Sequence, residues 1–259
     1  MEREKLRLVP VNVNIMSDLL DEMNNSWPEL YVHSSNVANL VLKICTFFGF
    51  DEVEQETFTI GAFLHDLGKL FIGRDILEKP GPLTREEWVE VKEHPGYGAS
   101  IVAARGENIS LMEMIRYHHE WWNGRGYEGL KEQQIPLSAR IIGLADAFDA
   151  MTTQRPYREP YKIYEALEEV YRCAGSQFDP MLIKALTEDS FWRHTTYSDP
   201  NRLKGQIKEE KLWLAQLADS YGKLSHPLVC AQSRWLDRLL NILWQYENDG
   251  VVRADRKNV

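Results

Sequence analysis

From residue 26 to residue 190 the apolar residues of this chain recur every three or four positions, and nowhere in that span is there a convincing period of two. Recurrence at i, i+3, i+4 and i+7 puts side chains on one face of a helix, whereas a strand alternates. Val37, Leu40, Val41, Ile44 and Phe47 form one such stripe, and Gly49 stops it. A second helix opens at Asp51 and carries Phe58, Ile60, Ala62 and Phe63. A later one, after Pro136, carries Ala139, Ile142, Leu144, Ala145, Phe148 and Met151. The expected fold class is therefore all-α. With 259 residues there is room for one large domain, or one domain with an appendage.

Local signals place the helix ends. Ser26 and Glu29 have the spacing of a capping box, with Pro28 suited to a first turn. Thr84 and Glu87 repeat that spacing and start a helix that should end near His94-Pro95. Residues 96–105 and 107–119 read as further helices, and residues 70–82, with Gly73, Pro80, Gly81 and Pro82, as a loop. A helix from Pro160 to Ala174 is stopped by Gly175, and Asp179-Pro180 caps a short one. Before the first strong helix, residues 6–15 could make one edge strand and residues 17–23 could begin a helix; neither carries chemistry.

A net charge of -9 argues against general binding to nucleic acid or to an anionic membrane. An anionic substrate would need metals or local Lys and Arg to reverse the field. Cys45, Cys173 and Cys230 are far apart with no paired spacing, and read as reduced core residues. No apolar run reaches membrane-span length and residues 1–10 lack the apolar centre of a signal peptide, so the expectation is a cytoplasmic protein.

The chemistry begins at Phe63-Leu64-His65-Asp66-Leu67-Gly68-Lys69, where an imidazole and a carboxylate stand side by side at the end of an apolar helix. Both offer lone pairs to a divalent metal when the His is neutral and the Asp ionised. Two ligands bind weakly, so others must come from elsewhere, and His33, His94, His118, His119 and Asp146 supply them. Asp146 and Asp149 lie three apart on an otherwise apolar helix, which burial alone would not select. The ligand set is nitrogen and oxygen without thiolate, which favours Fe, Mn, Co, Ni or Zn. It exceeds the needs of one ion, so at least two are implied. Glu29 stands four residues before His33 and shares its face, although a capping role would also explain it.

These residues, in this order, resemble an HD-GYP domain, the phosphodiesterase branch of the HD superfamily. The resemblance runs over roughly residues 26–190 through His33-Ser34, His65-Asp66-Leu67-Gly68-Lys69, His94-Pro95, His118-His119-Glu120, Gly124-Arg125-Gly126-Tyr127, Arg140-Ile141, Asp146-Ala147-Phe148-Asp149, Arg155-Pro156-Tyr157-Arg158 and Gln177-Phe178-Asp179-Pro180. It implies a helical bundle around two or three metal ions, often Fe or Mn, that hydrolyses cyclic di-GMP to linear pGpG or GMP. By position, His33, His65, Asp66 and Asp146 resemble the ligands of one ion. Asp66, His94, His118 and His119 resemble those of the next, with Asp66 bridging and catalytic. Glu29 stands where members with a third ion place a Glu, and Asp149 either assists there or supports a ligand from behind. Lys69, Arg155 and Arg158 resemble the phosphate-contacting cations, Lys69 also being a catalytic candidate. Gly124, Gly126 and Tyr127 belong to a signature loop that contacts substrate or a protein partner. Two positions depart from the pattern: Asn123 stands where an Asp is usual and Glu128 where a Pro is usual. Loss of Pro would loosen the loop, and Glu128 would add negative charge near an anionic substrate.

Three units are expected: an extension over 1–25, the catalytic domain over 26–190, and a helical appendage over 191–259. In the appendage one stripe has Ile207, Leu214, Leu217 and Tyr221, the other Val229, Leu236, Leu239, Leu240, Leu243 and Trp244. A short connection between them argues for an antiparallel hairpin. It resembles the small sporulation aspartyl-phosphate phosphatases, two-helix proteins with a Ser-Gln-x-Leu-Asp motif, through Ser233-Arg234-Trp235-Leu236-Asp237, with Arg in place of Gln. The resemblance implies a response-regulator partner; dimerisation or packing on the main domain would explain the hairpin equally. A diguanylate cyclase is a further partner implied for the loop. Two other readings remain: a sensor that binds a cyclic dinucleotide with little turnover, and an HD hydrolase of another cyclic nucleotide.

Overall fold

The computed structural model describes residues 13–106, 109–153, 160–161, 163–187 and 200–221, with five further helical positions, Val229, Ser233, Leu236, Leu240 and Leu243. Its elements are α1 (Val13–Ser26), α2 (Pro28–Phe47), α3 (Glu52–Leu64), α4 (Arg74–Leu77), α5 (Arg85–Lys92), α6 (His94–Ala104), α7 (Ile109–Arg116), α8 (Leu137–Thr152), α9 (Ile163–Arg172), α10 (Pro180–Thr187) and α11 (Pro200–Tyr221). There is no strand among the described residues, in agreement with the all-α expectation.

Helix α2 is the axis of the bundle. It packs along α3 and crosses α8, while α6 lies against α7 and against a 3₁₀ turn, Leu67–Phe71, that leaves α3. The shared core holds Val37 and Val41 of α2, Phe58, Ile60 and Phe63 of α3, Ile115 of α7 and Ile142 of α8, all at 0% exposure. Each such side chain stabilises the fold by about 1.5–3 kcal/mol through area removed from water. Leu19, Leu20 and Met23 of α1 join this core, so residues before 26 contribute to it.

Several local expectations hold. Asp51 accepts the Glu54 amide while Glu54 accepts the Asp51 amide, and Thr84 and Glu87 do the same at the start of α5. Asp179 Oδ1 accepts the Met181 amide at the start of α10, and Gly175 takes φ +74° behind α9. Others do not. The Ser26–Glu29 capping box is absent: Ser26 is still inside the last turn of α1, Trp27 stands at the N-cap without a side-chain bond, and Pro28 opens α2. The two helices almost run on, since the Trp27 amide reaches Met23 O at 2.8 Å and the Tyr31 amide reaches Trp27 O at 3.1 Å. Residues 13–15 are the first turn of α1 rather than the end of an edge strand, and residues 1–12 lie outside the description. Residues 70–82 are not a simple loop, because α4 makes one helical turn there.

The C-terminal segment joins the main core. Ile207 and Leu214 of α11, with Leu236 and Leu243, belong to the same hydrophobic cluster as α2 and α3. Lys43 of α2 donates to Glu210 of α11 at 2.6 Å, with both side chains largely buried. Burial pushes the Lys43 ammonium down to about 8 despite the facing Glu210 carboxylate. The motif candidate Asp237 and the turn joining the two stripes lie outside the described residues. No helix of the described residues is long and apolar enough to cross a membrane.

Candidate metal centre

Three of the candidate imidazoles sit at helix ends, where the last carbonyls lack amide partners. Each uses its Nδ1 to satisfy one of them. His65 Nδ1 pairs with Ala62 O at the end of α3, His94 Nδ1 with Val91 O at the end of α5, and His118 Nδ1 with Ile115 O at the end of α7, all at 2.7 Å. A carbonyl can only accept, so Nδ1 carries the proton and Nε2 keeps its lone pair. All three Nε2 atoms are buried without a partner, as is Asp66 Oδ1. Unpaired buried acceptors are costly unless something binds them. The negative ends of helix dipoles favour a cation at the same place.

His33 is held differently. It lies in α2, and its Nδ1 faces Asp149 Oδ2 of α8 at 2.9 Å. Thr153 Oγ1 donates to the other oxygen of Asp149 at 2.8 Å. Asp149 thus supports a ligand from behind, one of the two roles the sequence left open for it.

Asp66 lies between the two sets and divides its oxygens. Oδ2 stands 3.6 Å from His33 Nε2 and 3.3 Å from His65 Nε2; Oδ1 stands 3.1 Å from His94 Nε2 and 3.9 Å from His118 Nε2. Asp146 Oδ1 completes the first side, 3.1 Å from His33 Nε2 and 3.9 Å from His65 Nε2. Ligand atoms of Asp66, His94, His118 and His119 all lie within 4.8 Å of one another, as do those of His33, His65 and Asp66. Two groups with one shared carboxylate is the arrangement of a two-ion site, and the cluster can hold divalent metal.

The protonation states of His118, His119, Asp66 and Asp146 suit metal ligands, while His33 would give up a proton to an incoming ion. Burial, then the charges of His119, His65 and His94, hold His118 well below the ordinary imidazole value, and burial takes His119 down to about 4. Both are neutral and ligand-competent at pH 7. Burial opposes ionisation of Asp66, but Lys69 and the surrounding imidazoles hold its carboxyl well below the usual range. Asp146 is depressed in the same way, chiefly by His33 against the burial cost. Burial also works to lower His33, yet the carboxylates of Asp146 and Asp149 outweigh it and push the imidazole up to about 10. The same carboxylates would favour a metal cation there.

The remaining candidates divide. Lys69 Nζ donates to Asp66 Oδ2 at 2.5 Å and is one-quarter exposed. Tyr127 stacks on His119, ring centroids 4.7 Å apart, and burial with the nearby Asp66 and Asp146 charges pushes its phenol up to about 12. Gly126 lies against Glu120, where a Cβ would sit 2.4 Å from Glu120 Cα; Gly124 takes φ +81° and faces Lys131 rather than the ligands. Glu29 is exposed on the first turn of α2 and stands outside both ligand groups. Arg155 and Arg158 lie outside the described residues. The Glu128 carboxylate pairs with Arg116 at 2.7 Å, both side chains being exposed. Asn123 Oδ1 accepts the Arg125 amide at 3.1 Å, a turn-stabilising contact open to Asp as well.

Sequence reasoning passed over Glu120. Its carboxylate, 8% exposed, accepts the Glu128 and Leu130 amides at 2.6 Å each and ties down the Gly-rich loop. Its place directly after His118-His119 was the available signal.

A family model described as "HD domain" matches residues 15–182. The cyclic di-GMP phosphodiesterase of Thermotoga maritima is 38% identical over 160 residues, which cover 61% of this chain and 44% of that protein. The cyclic di-GMP phosphodiesterase response regulator RpfG of Xanthomonas campestris is 38% identical over 156 residues, covering 59% and 40%. The 3'3'-cGAMP-specific phosphodiesterase 2 of Vibrio cholerae is 34% identical over 163 residues, covering 62% and 31%. Each match therefore spans less than half of the relative's length. Among solved structures, the HD domain of Listeria monocytogenes phosphodiesterase PgpH in complex with cyclic-di-AMP superposes with a TM-score of 0.53 at 20% identity, covering 70% of this chain and 98% of that one. The V. cholerae cyclic GMP-AMP phosphodiesterase V-cGAP3 superposes with a TM-score of 0.51 at 18% identity, covering 74% and 56%. Both likenesses concern the fold.

Proposed function

We propose, for a chain that belongs to the HD domain family, that it is a metal-dependent phosphodiesterase hydrolysing cyclic di-GMP to linear pGpG, to GMP or to both. The observation that carries this reading is the division of the Asp66 carboxylate between two groups of buried imidazoles whose Nε2 atoms have no other use. The relatives named as cyclic dinucleotide phosphodiesterases support the substrate class.

The residues fit two divalent ions, one held by His33, His65, Asp66 and Asp146 and one by Asp66, His94, His118 and His119. We read these as Fe or Mn on the family resemblance, the absence of thiolate by itself being equally suited to Co, Ni or Zn. When bound, such a pair supplies Lewis-acid stabilisation of phosphate charge and lowers the pKa of water. The chain does the rest. Backbone carbonyls and Asp149 fix the tautomers, so the imidazoles meet the ions with lone pairs. Lys69, paired with Asp66, offers a compact ammonium to the phosphate. Tyr127, kept protonated by burial, closes one side of the site. Arg155 and Arg158 are proposed as phosphate contacts on the resemblance alone, and Glu29 as a third-ion ligand only if the first turn of α2 turns inward. Hydrolysis joins a water oxygen to phosphorus and releases the 3' oxygen, which leaves with a proton. A cytoplasmic location, a homodimer and a response-regulator or diguanylate-cyclase partner complete the proposal. The domain limits proposed are 1–25, 26–190 and 191–259, with α1 packed on the second.

One finding favours a second substrate: a relative with 34% identity is named for 3'3'-cGAMP. The test is a panel of cyclic di-GMP, 3'3'-cGAMP and cyclic di-AMP, given to anaerobically purified protein loaded with Fe(II) or Mn(II), with Asp66→Ala as control. Fastest cleavage of cyclic di-GMP, lost in the control, supports the proposal. Fastest cleavage of 3'3'-cGAMP moves it to the second substrate, and tight binding without cleavage replaces the enzyme with a sensor.

A further inference from the structure

Four of the five clustered imidazoles have a hydrogen bond that sets their orientation: three to carbonyls three residues earlier, at the ends of α3, α5 and α7, and His33 to Asp149. His119 has none among the described residues. Its ring packs between neighbouring ligands, His118 at 4.0 Å and His94 at 5.0 Å between centroids, and the Tyr127 ring, which is 4.7 Å away and 36° from parallel and is its ring contact from outside the ligand set. Tyr127 belongs to the Gly-rich loop, and the loop is tied down by one carboxylate. Glu120 Oε1 accepts the Glu128 amide and Oε2 accepts the Leu130 amide, both at 2.6 Å. Two short amide hydrogen bonds to one largely buried carboxylate are of the strong kind. Gly126 lets the chain fold onto Glu120, since any side chain there would overlap the Glu120 backbone. The clamp depends on position 128 having an amide proton. A proline there has none, so the Glu in this chain adds a donor that a proline would remove.

The geometry points to Glu120 as a positioning residue that acts through the loop: it holds Tyr127 against His119 and so orients a metal ligand that has no hydrogen bond of its own. This deepens the metal-centre reading and rests on it. The loop's role is then to complete the ion site on the His94, His118 and His119 side, with an aromatic ring over the face of the imidazole supplying the restraint that in-plane Nδ1 hydrogen bonds supply at the other ligands. Supporting groups of that kind are worth about tenfold to a hundredfold in metal affinity. One ion should be affected more than the other, because His119 belongs to the Asp66, His94 and His118 group and His33 and His65 to the other.

The experiment uses the full chain with Mn(II) alone, titrated by calorimetry, and with histidine-labelled, metal-free protein for NMR. Tyr127→Phe keeps the ring and should bind both ions as the unaltered chain does. Tyr127→Ala should weaken one ion about tenfold to a hundredfold and the other less. It should also move the His119 ring protons downfield, as loss of a stacked ring requires. Glu120→Ala should copy both effects, and Glu128→Pro should give a smaller version of each. A loop that merely packs would alter melting temperature without moving the His119 resonances. Unchanged His119 resonances and unchanged affinities in Tyr127→Ala, a variant at a half-buried position, would overturn the proposal even if Glu120→Ala failed to fold. No Mn(II) binding by the unaltered chain would sink the metal centre itself.

Discussion

The two sides of the metal centre are built on different principles. On the side of His94 and His118 those two imidazoles are oriented by carbonyls three residues earlier in the chain, as His65 across the centre also is, so each is set by the helix end that precedes it. On the other side His33 is oriented by Asp149, which lies 116 residues away on α8 and is itself held by Thr153. The local side needs only that three helices end in the right places. The remote side needs α2 and α8 to be packed correctly before the ligand is formed. A carbonyl cannot be removed by substitution, whereas a carboxylate can, so mutation should expose the second side far more than the first.

Asp66 is the test of largest effect, because it belongs to both sides. Asp66→Ala should abolish binding of both ions and lower turnover by at least about a thousandfold, the loss of roughly 4 kcal/mol of transition-state stabilisation. A chelator should lower the melting temperature of the unaltered protein by removing a ligand of the folded state. It should leave Asp66→Ala where it was. A variant that still counts two ions per chain would break the idea of a shared ligand.

Next in size is an attack on the local side through packing. Gly68 sits so close to the start of α6 that a Cβ would fall 1.9 Å from the His94 carbonyl oxygen and 2.7 Å from the Gly98 amide nitrogen. Gly68→Ala must push α6 away and carry His94 with it. We expect about 2–3 kcal/mol of lost stability, the usual cost of overpacking a tight site, with weaker binding of the ion on the His94 side. Chemical denaturation and metal titration of the same sample check both. An unchanged ion affinity in a destabilised protein would show that α6 and His94 move independently.

What could be read in advance follows the same division. The helix stripes and the Thr84–Glu87 capping box were legible because their causes are local, and so were His65-Asp66 and His118-His119, which sit at helix ends. The partner of His33 was half legible: Asp149 stood out as an unexplained acid on an apolar helix, but only the packing of α2 on α8 chooses between its two roles. The Ser26–Glu29 box failed because α1 continues through Ser26, which moves the N-cap to Trp27. The Lys43–Glu210 pair was beyond reach, since nothing local marks two residues 167 apart as neighbours. The loop was legible as a loop but not as a support for His119, because a ring stacked on a ring has no sequence spacing.

Asp149→Ala tests the remote side alone. It removes the orienting partner of His33, and the ion held by His33, His65 and Asp146 should bind about tenfold to a hundredfold more weakly, as for other supporting carboxylates. The second ion should keep its affinity. Equal weakening of both would mean that Asp66 transmits the disturbance and that the two sides are one unit.

Thr153→Val is the smallest change and the most discriminating. It removes only the hydroxyl that donates to Asp149 Oδ1 at 2.8 Å and keeps the shape of the side chain. A hydrogen bond to a charged group contributes about 1.5–3 kcal/mol to stability, but Asp149 keeps its contact with His33, so only a fraction should reach the ion. We expect less than about a tenfold loss of affinity on the His33 side and none on the other, read by the same Mn(II) titration. A loss as large as that of Asp149→Ala would mean that Asp149 orients His33 only when Thr153 fixes it, which would extend the remote side by one more residue. No loss at all would mean that the packing of α8 suffices to aim the carboxylate, and the contrast between the two sides would narrow to a single hydrogen bond.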